Sequence, residues 1–138
     1  MGIWPMNQLV FVKDAGRAGH VIGHGRKKKS HEVLTYRIKM DDEILDEGTP
    51  STTVTVEKDQ VYKLIRDSET PWPSRALAYQ TRVRGVDGFD DMDSQKKGFG
   101  RIVGVCVDND ALPVYYEVYI DDGSVFFFNV CKVHVSRR

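Results

Sequence analysis

The stretch that decides the fold runs from Lys97 to Phe128. It begins Lys97-Gly-Phe-Gly-Arg-Ile-Val-Gly-Val-Cys-Val107 and, after a polar loop, continues Val114-Tyr-Tyr-Glu-Val-Tyr-Ile-Asp-Asp-Gly-Ser-Val-Phe-Phe-Phe128. Asp122-Gly123 between two apolar runs predicts a β-hairpin, because such a turn needs a residue that accepts a positive φ. A last short apolar run, Val133 to Val135, follows a tight turn. The order strand, hairpin, strand, turn, strand predicts a small β-barrel.

The same order of elements occurs earlier in the chain. Ala18-Gly-His-Val-Ile-Gly23 aligns with Phe99-Gly-Arg-Ile-Val-Gly104, and Tyr36-Arg-Ile-Lys-Met-Asp-Asp42 aligns with Tyr116-Glu-Val-Tyr-Ile-Asp-Asp122. Val56 through Val61 aligns with Phe128 through Val133 if the first unit carries an eight-residue loop insertion. Three matched blocks in the same order predict an internal duplication.

Two short motifs resemble the KOW and Tudor-like SH3 barrels. The strand and glycine-bearing loop Val12-Lys-Asp-Ala-Gly-Arg-Ala-Gly-His-Val21 is similar to a KOW unit, and Tyr116-Glu-Val-Tyr-Ile-Asp-Asp-Gly-Ser124 is similar to a Tudor-like unit. The resemblance covers roughly residues 8–65 and 80–136. It implies binding of RNA, DNA, ribosomal or polymerase partners, or of methylated peptide tails in an aromatic cage. The first unit has Glu43 where the turn glycine would stand and lacks the cage aromatics, so we expect no such cage there.

We therefore predict an all-β protein of two tandem five-stranded SH3-like (Tudor/KOW-like) barrels. The first barrel spans residues 6–66, the second spans 80–138, and a linker of residues 67–79 joins them. Two prolines flank Trp72 in this linker and favour an extended, semi-rigid conformation. Because units of about 60 residues bury small cores, we expect the two barrels to share an interface.

The composition of the chain limits the classes of function that it can have. The 138 residues are 41% hydrophobic and 29% charged, and the formal net charge is zero, with the same balance in each half of the chain. A dedicated nucleic-acid binder usually has a basic excess, so binding of this kind must come from a local patch. No apolar run is long enough to span a membrane and no leader pattern opens the chain, so we expect an intracellular protein, cytoplasmic or nucleoid/nuclear. Cys106 and Cys131 are expected to be small buried apolar residues.

A basic turn is the sharpest surface feature of the sequence. Four consecutive cations, Arg26, Lys27, Lys28 and Lys29, are flanked by Arg17, His20 and His31, and Lys97 and Arg101 would extend the patch into the second unit. Cations on a hairpin tip contact phosphates without regard to base sequence. The alternative is a solvated hairpin that carries charge for solubility.

Aromatic side chains mark the second unit. Tyr115, Tyr119 and Phe127 fall on the face opposite Tyr116 and Val118, where they would stack on bases, cage a methylated side chain or hold a peptide. The alternative, favoured by the small size of the barrels, is that they fill the interface between the barrels or contact Trp72. Phe99, beside the glycines, is the better cage candidate, with Asp121 or Asp122 as partner of a bound cation.

No motif predicts catalysis or a metal site. His20 and His24 share a strand face, but four residues of strand separate their side chains by about 13 Å, too far to ligate one ion. Known nucleophile and phosphate-loop motifs are missing from the sequence. We expect no enzyme activity, no metal and no cofactor.

The sequence favours a non-enzymatic module that binds nucleic acid or a nucleoprotein, with affinity from the basic hairpin and selectivity from the aromatics. The alternative is a protein–protein adaptor, or a small viral or mobile-element protein that blocks a host factor, with a peptide held in the groove between the barrels. A monomer and a homodimer are both compatible with the sequence.

Overall fold

The computed structural model describes residues 4–26, 33–41, 52–66, 71–85 and 99–136. These residues form an all-β structure without an α-helix, which confirms the all-β part of the predicted fold. The strands, in chain order, are β1 (Leu9–Val12), β2 (Arg17–Arg26), β3 (Val33–Met40), β4 (Thr53–Glu57), β5 (Val61–Arg66), β6 (Arg82–Gly85), β7 (Phe99–Val107), β8 (Pro113–Ile120), β9 (Val125–Asn129) and β10 (Val133–Val135). Short 3-10 turns, Lys58–Gln60 and Val130–Lys132, precede β5 and β10.

The chain divides into two compact units, Met1–Leu64 and Ile65–Arg138. The division falls within β5, so Ile65 and Arg66 belong to the second unit. Residues 71–79, the described part of the segment predicted as a linker, also lie in the second unit.

The first unit is an antiparallel sheet with the strand order β5-β1-β2-β3-β4. Alternation along β3 buries Tyr36, Ile38 and Met40 on one face and exposes Arg37 and Lys39 on the other. The buried face packs into a core formed by seven side chains: Val10, Val12, Val21, Tyr36, Ile38, Met40 and Val61. The alternation of apolar and charged residues from Tyr36 to Met40 has the period of two that is typical of a strand with one buried face.

The second unit has the corresponding strand order, β10-β6-β7-β8-β9, and is also antiparallel. Its core contains nine buried side chains: Ile65, Val83, Ile102, Val105, Val107, Tyr116, Val118, Ile120 and Val133. The Asp122-Gly123 turn forms as predicted, with Gly123 at φ +96°. The glycine thus allows the tight turn of the hairpin that joins β8 to β9.

The two units share local details besides strand order. A bulge lies between Val21 and Gly23 in β2, and a second lies between Ile102 and Gly104 in β7. A tyrosine hydroxyl accepts a hydrogen bond from the backbone of the preceding arm in both units: Tyr36 from the Trp4 N–H at 3.0 Å, and Tyr116 from the Leu77 N–H at 2.8 Å.

The backbone that enters each sheet also has the same conformation. Asn7 and Gln80 adopt positive φ values of 68° and 71° just before β1 and β6. Their N–H groups donate to Val21 and Ile102, at 2.7 and 2.8 Å, on the adjacent strand. A positive φ costs energy in a residue other than glycine. The two units therefore share an uncommon backbone conformation just before their first strand.

Two local predictions were wrong. The glycine-bearing loop expected within Val12 to Val21 is shorter than predicted, because β2 begins at Arg17 and Gly19 lies inside the strand. Cys106 is buried as expected, but Cys131 is exposed in the second 3-10 turn, where its N–H donates to the Asn129 side chain. A turn that projects from the sheet has few neighbours to cover a short side chain.

Candidate nucleic-acid interface

The candidate site includes two arginines of β6, a strand in which inward and outward side chains alternate. Arg82-Val83-Arg84 places Val83 in the core, where it is fully buried, and therefore directs both arginines to the opposite face. Arg84 is exposed and the Arg82 side chain is 36% exposed. β6 lies between β10 and β7, so Arg84 has a cross-strand neighbour on both sides, and Arg82 pairs with a residue of β7.

A first row of side chains crosses four strands of the second unit. The register pairs Arg82 with Arg101, Arg101 with Tyr119, and Tyr119 with Val125. Directly paired residues of antiparallel strands place their side chains on the same face. Tyr119 is 49% exposed and Val125 is 37% exposed, so this row lies at the protein surface.

A second row runs beside the first. His134 pairs with Arg84, Arg84 pairs with Phe99, and the Asp121 N–H donates to the Phe99 carbonyl at 3.0 Å. Phe99 is 37% exposed although it is a large apolar side chain. Five residues of the two rows, Arg82, Arg84, Phe99, Arg101 and Tyr119, form what we call the arginine–aromatic face.

Asp121 is the acidic group of this face, and it is bound by Arg82. The Arg82 guanidinium donates to both oxygens of the Asp121 carboxylate at 2.5 Å, in a bidentate pair. This hydrogen bonding lowers the pKa of Asp121 and raises that of Arg82, and the charge of Arg101 lowers the pKa of Asp121 further. Three guanidinium groups stand against one carboxylate, so the face has a net positive charge.

Glu117 is a second acidic residue on the outward side of β8, two residues before Tyr119. It is 3% exposed, and its two oxygens accept hydrogen bonds from Arg66 at 2.8 and 2.6 Å. A buried carboxylate needs such a partner, because an unpaired one costs several kcal/mol. The pair neutralises Glu117, which therefore adds little negative potential to the face.

The structure brings together three of the predicted site residues, Phe99, Arg101 and Tyr119. Tyr115 and Phe127 are half-buried on the same side of β8 and β9, nearer to Glu117, which pairs with Phe127. Both make further interactions there.

Trp72 packs against the core of the second unit instead of joining the arginine–aromatic face. Its indole N–H donates to the Leu77 carbonyl at 2.9 Å, and its ring lies 5.7 Å from that of Tyr79 in an edge-to-face arrangement. This geometry is that of a structural anchor for the arm preceding β6.

The basic patch predicted in the first unit is only partly described. Arg17 and Arg26 are exposed at the opposite ends of β2, and His20 lies between them with its Nδ1 2.9 Å from Asp41 Oδ1. Ten residues of strand extend over roughly 30 Å, so the two arginines are far apart. Lys27, Lys28, Lys29, His31 and Lys97 lie outside the described residues.

Sequence reasoning missed Arg82 and Arg84. They lie at the start of the predicted second barrel, residues 80–138, but they were given no role in the prediction from sequence. The signal was the alternation Arg82-Val83-Arg84 itself, since a period of two places both cations on the solvent side.

The first unit has a different set of residues in the corresponding row. Leu9 pairs with His20, His20 with Lys39, and Lys39 with Thr53. Asp41 donates its N–H to Ala18 at 3.0 Å, as Asp121 does to Phe99. This row contains no arginine, and its one ring is the His20 imidazole, whose Nδ1 lies 2.9 Å from Asp41 Oδ1. The pairing of an arginine with an aromatic ring in this row is therefore particular to the second unit.

The described ranges contain no group of three metal-ligating side chains and no helix long and apolar enough to cross a membrane. Burial raises the pKa of the Cys106 thiol well above its usual value, which disfavours the reactive thiolate.

Comparison of the chain with protein-family models, curated proteins and solved structures finds no match.

Proposed function

We propose that the protein is a non-enzymatic binding module that engages nucleic acid or a nucleoprotein, built on two tandem five-stranded SH3-like barrels. Support for the barrels is the shared strand order, with the last strand of each unit beside the first and a 3-10 turn before it. The matched bulges and tyrosine hydrogen bonds support an origin by duplication.

The observation that carries the function is the arginine–aromatic face. Arginines bind phosphate oxygens through a planar fork of donors, and exposed aromatic rings stack on bases. Arg84, Arg101, Phe99 and Tyr119 present both chemistries on adjacent strands of one sheet. A solvated surface needs charge for solubility but gains nothing from two exposed rings among the arginines.

The basic segment Arg26 to Lys29 would add affinity that does not depend on base sequence. Release of counterions from phosphates drives such binding, so it weakens steeply as salt rises. In this proposal the basic segment supplies affinity, and the arginine–aromatic face of the second unit supplies selectivity between nucleic acids.

Binding can be measured by fluorescence anisotropy with labelled single- and double-stranded RNA and DNA at about 50 and about 200 mM salt. We expect salt-sensitive binding that the double variant Arg84→Ser/Arg101→Ser weakens, with a salt slope shallower by about one per lost phosphate contact. Replacement of Arg26, Lys27, Lys28 and Lys29 by serine should also reduce the slope.

Arg75→Ser is the matched control, because Arg75 is an exposed arginine of the second unit outside this face. Its affinity and salt slope should equal those of the wild type. If the wild-type protein binds none of the four nucleic acids at low salt, the proposed function is wrong.

One observation favours the protein-adaptor alternative. Among the described strands β9 pairs only with β8, which makes it an edge strand of the second unit, and edge strands are the usual place for a peptide to add a strand. A peptide partner bound in this way would protect the amides of Val125–Asn129 from hydrogen exchange. Binding without such protection would argue against this route.

A further inference from the structure

We propose that the arginine–aromatic face takes a single-stranded nucleic acid, with neighbouring bases stacked on Phe99 and Tyr119 and their phosphates held by Arg84 and Arg101. This inference rests on the proposed function and specifies its ligand. It assigns one stacking site to each chain, located in the second unit.

The positions of the two rings suit neighbouring bases. Tyr119 pairs with Arg101, and Phe99 lies two residues before Arg101 on the same face of β7. The two aromatic residues are therefore diagonal neighbours on adjacent strands, about 7–8 Å apart at the backbone. Rings this close can each take one base from the same strand.

The exposure of the rings selects a single strand over a duplex. Phe99 and Tyr119 are 37% and 49% exposed on the surface of a sheet, so each can offer a flat face to a ligand. In a duplex the faces of the bases are already covered by their neighbours, and only the groove edges and the phosphates are accessible. Unstacked bases of a single strand present the faces that aromatic side chains bind.

Each ring has its own cation. Arg84 is the cross-strand partner of Phe99, and Arg101 is the cross-strand partner of Tyr119. Directly opposed side chains begin about 4.5–5.5 Å apart, so a base on the ring brings its phosphate within reach of the guanidinium. The two rows thus repeat one unit of recognition, an aromatic ring beside an arginine.

Arg82 has a different role in this arrangement. Its guanidinium is held by both oxygens of Asp121, so Arg84 and Arg101 remain as the phosphate ligands. In the described part of the chain neither Arg84 nor Arg101 forms an ion pair. Asp121 also places a negative charge at one end of the second row, beyond Phe99, and this charge would repel phosphates.

The first unit cannot duplicate the site. Its corresponding row contains Leu9, His20, Lys39 and Thr53, and Ala18 stands in the place of Phe99. This row has no arginine, and its one ring, the His20 imidazole, is held by Asp41 at 2.9 Å, so the row offers no ring beside an arginine. Short oligonucleotides should consequently bind with a stoichiometry of one per chain.

The test compares a labelled oligo-uridine or oligo-thymidine of about ten nucleotides with a duplex of the same length, by anisotropy at low salt. The variants are Phe99→Ala and Tyr119→Ala in the full chain. Tyr119→Phe retains a stacking ring and serves as the conservative variant. Tyr79→Ala and Leu112→Ala are matched controls, because these side chains are 41% and 39% exposed but lie outside the face.

We expect the single strand to bind more tightly than the duplex. Each alanine variant should weaken single-strand binding about 5- to 150-fold, the loss of one base stack, and leave the salt slope unchanged. Tyr119→Phe and both controls should bind as the wild type does. All variants are surface changes, and circular dichroism verifies that they fold.

Two results would overturn the inference, and only the second would also overturn the proposed nucleic-acid function. If the duplex binds as tightly as the single strand, or if the alanine variants match the controls, the rings do not stack on bases. In that case the face binds only phosphates, and the proposed nucleic-acid function stands. If the wild-type chain binds neither oligonucleotide, the inference and the proposed function fail together.

Discussion

At the scale of single residues, Asp121 determines how the arginines of the second unit are used. Its carboxylate holds Arg82 in a bidentate pair at 2.5 Å, on the surface and within the field of Arg101. An exposed pair of this kind contributes little to stability, because water screens both charges. Its effect is mainly on geometry, since it fixes one guanidinium while its neighbours remain available.

The pH dependence of Asp121 follows from this pair. The pKa of Asp121 lies below its usual value because Arg82 donates to the ionised form, and the charge of Arg101 adds to the effect. Since the folded-state pKa is lowered, the pair stabilises the fold above the unfolded-state pKa of about 3.9, and this contribution is lost as the pH falls through the folded value. We expect a carboxyl-carbon NMR titration of Asp121 with a midpoint below about 3.9.

Arg82→Ala should move this midpoint up towards the ordinary value, whereas Arg75→Ala should leave it in place. An unchanged midpoint in Arg82→Ala would mean that the pair is not formed in solution.

At the scale of elements, the contact between β7 and β8 depends on a glycine. Gly100 pairs with Ile120, and a Cβ added at Gly100 would collide with the Tyr119 carbonyl oxygen and lie 2.9 Å from Val118 Cγ1. Gly19 has the same relation to β3, where an added Cβ would lie 2.6 Å from Ile38 Cγ2 and 2.7 Å from the Lys39 oxygen. Close approach of the backbones, and not a positive φ, is the reason for glycine at both positions.

Gly100→Ala should therefore destabilise the protein by about 1–3 kcal/mol, as expected for overpacking against backbone atoms that cannot move aside. Urea denaturation measures the change in the free energy of unfolding. Gly23→Ala is the matched control, because a Cβ there would meet only ordinary contacts, the nearest being 3.5 Å from Arg37 Cβ. Equal effects of the two substitutions would contradict the close approach of β7 and β8.

At the scale of the whole molecule, the chain buries its apolar side chains in two separate cores. Ile38 is fully buried in the first core and Ile102 is fully buried in the second. Units of this size bury a smaller fraction of their surface than larger domains do, so each depends on complete packing of a few side chains.

Ile38→Val and Ile102→Val should each cost about 0.5–1.5 kcal/mol, the loss of one buried methyl group. Because the two residues share no core, the effects of the double variant should add within about 0.5 kcal/mol. Hydrogen exchange should show faster opening in β1–β4 for Ile38→Val and in β6–β9 for Ile102→Val. Faster exchange of both sets of strands in either single variant would show that the cores are coupled.

The sequence by itself determined the elements. Period-two alternation identified β3 with its buried Tyr36, Ile38 and Met40, and Asp122-Gly123 identified the hairpin, because both signals come from residues adjacent in the chain. The matched blocks aligned residues that the structure places in equivalent strands, including Gly19 with Gly100. Alternation also places Arg82 and Arg84 on the outer face of β6, although their role was not inferred.

Only the tertiary structure decided which outward residues meet. The register of β6 against β7 joins segments that are not adjacent in the chain, and a local pattern gives the face of a residue but not its partner on the next strand. For this reason Arg84 beside Phe99, and Arg66 across the buried Glu117, could not be predicted. The candidate site consists of cross-strand neighbours, so it exists only once the long-range pairing of the strands is set.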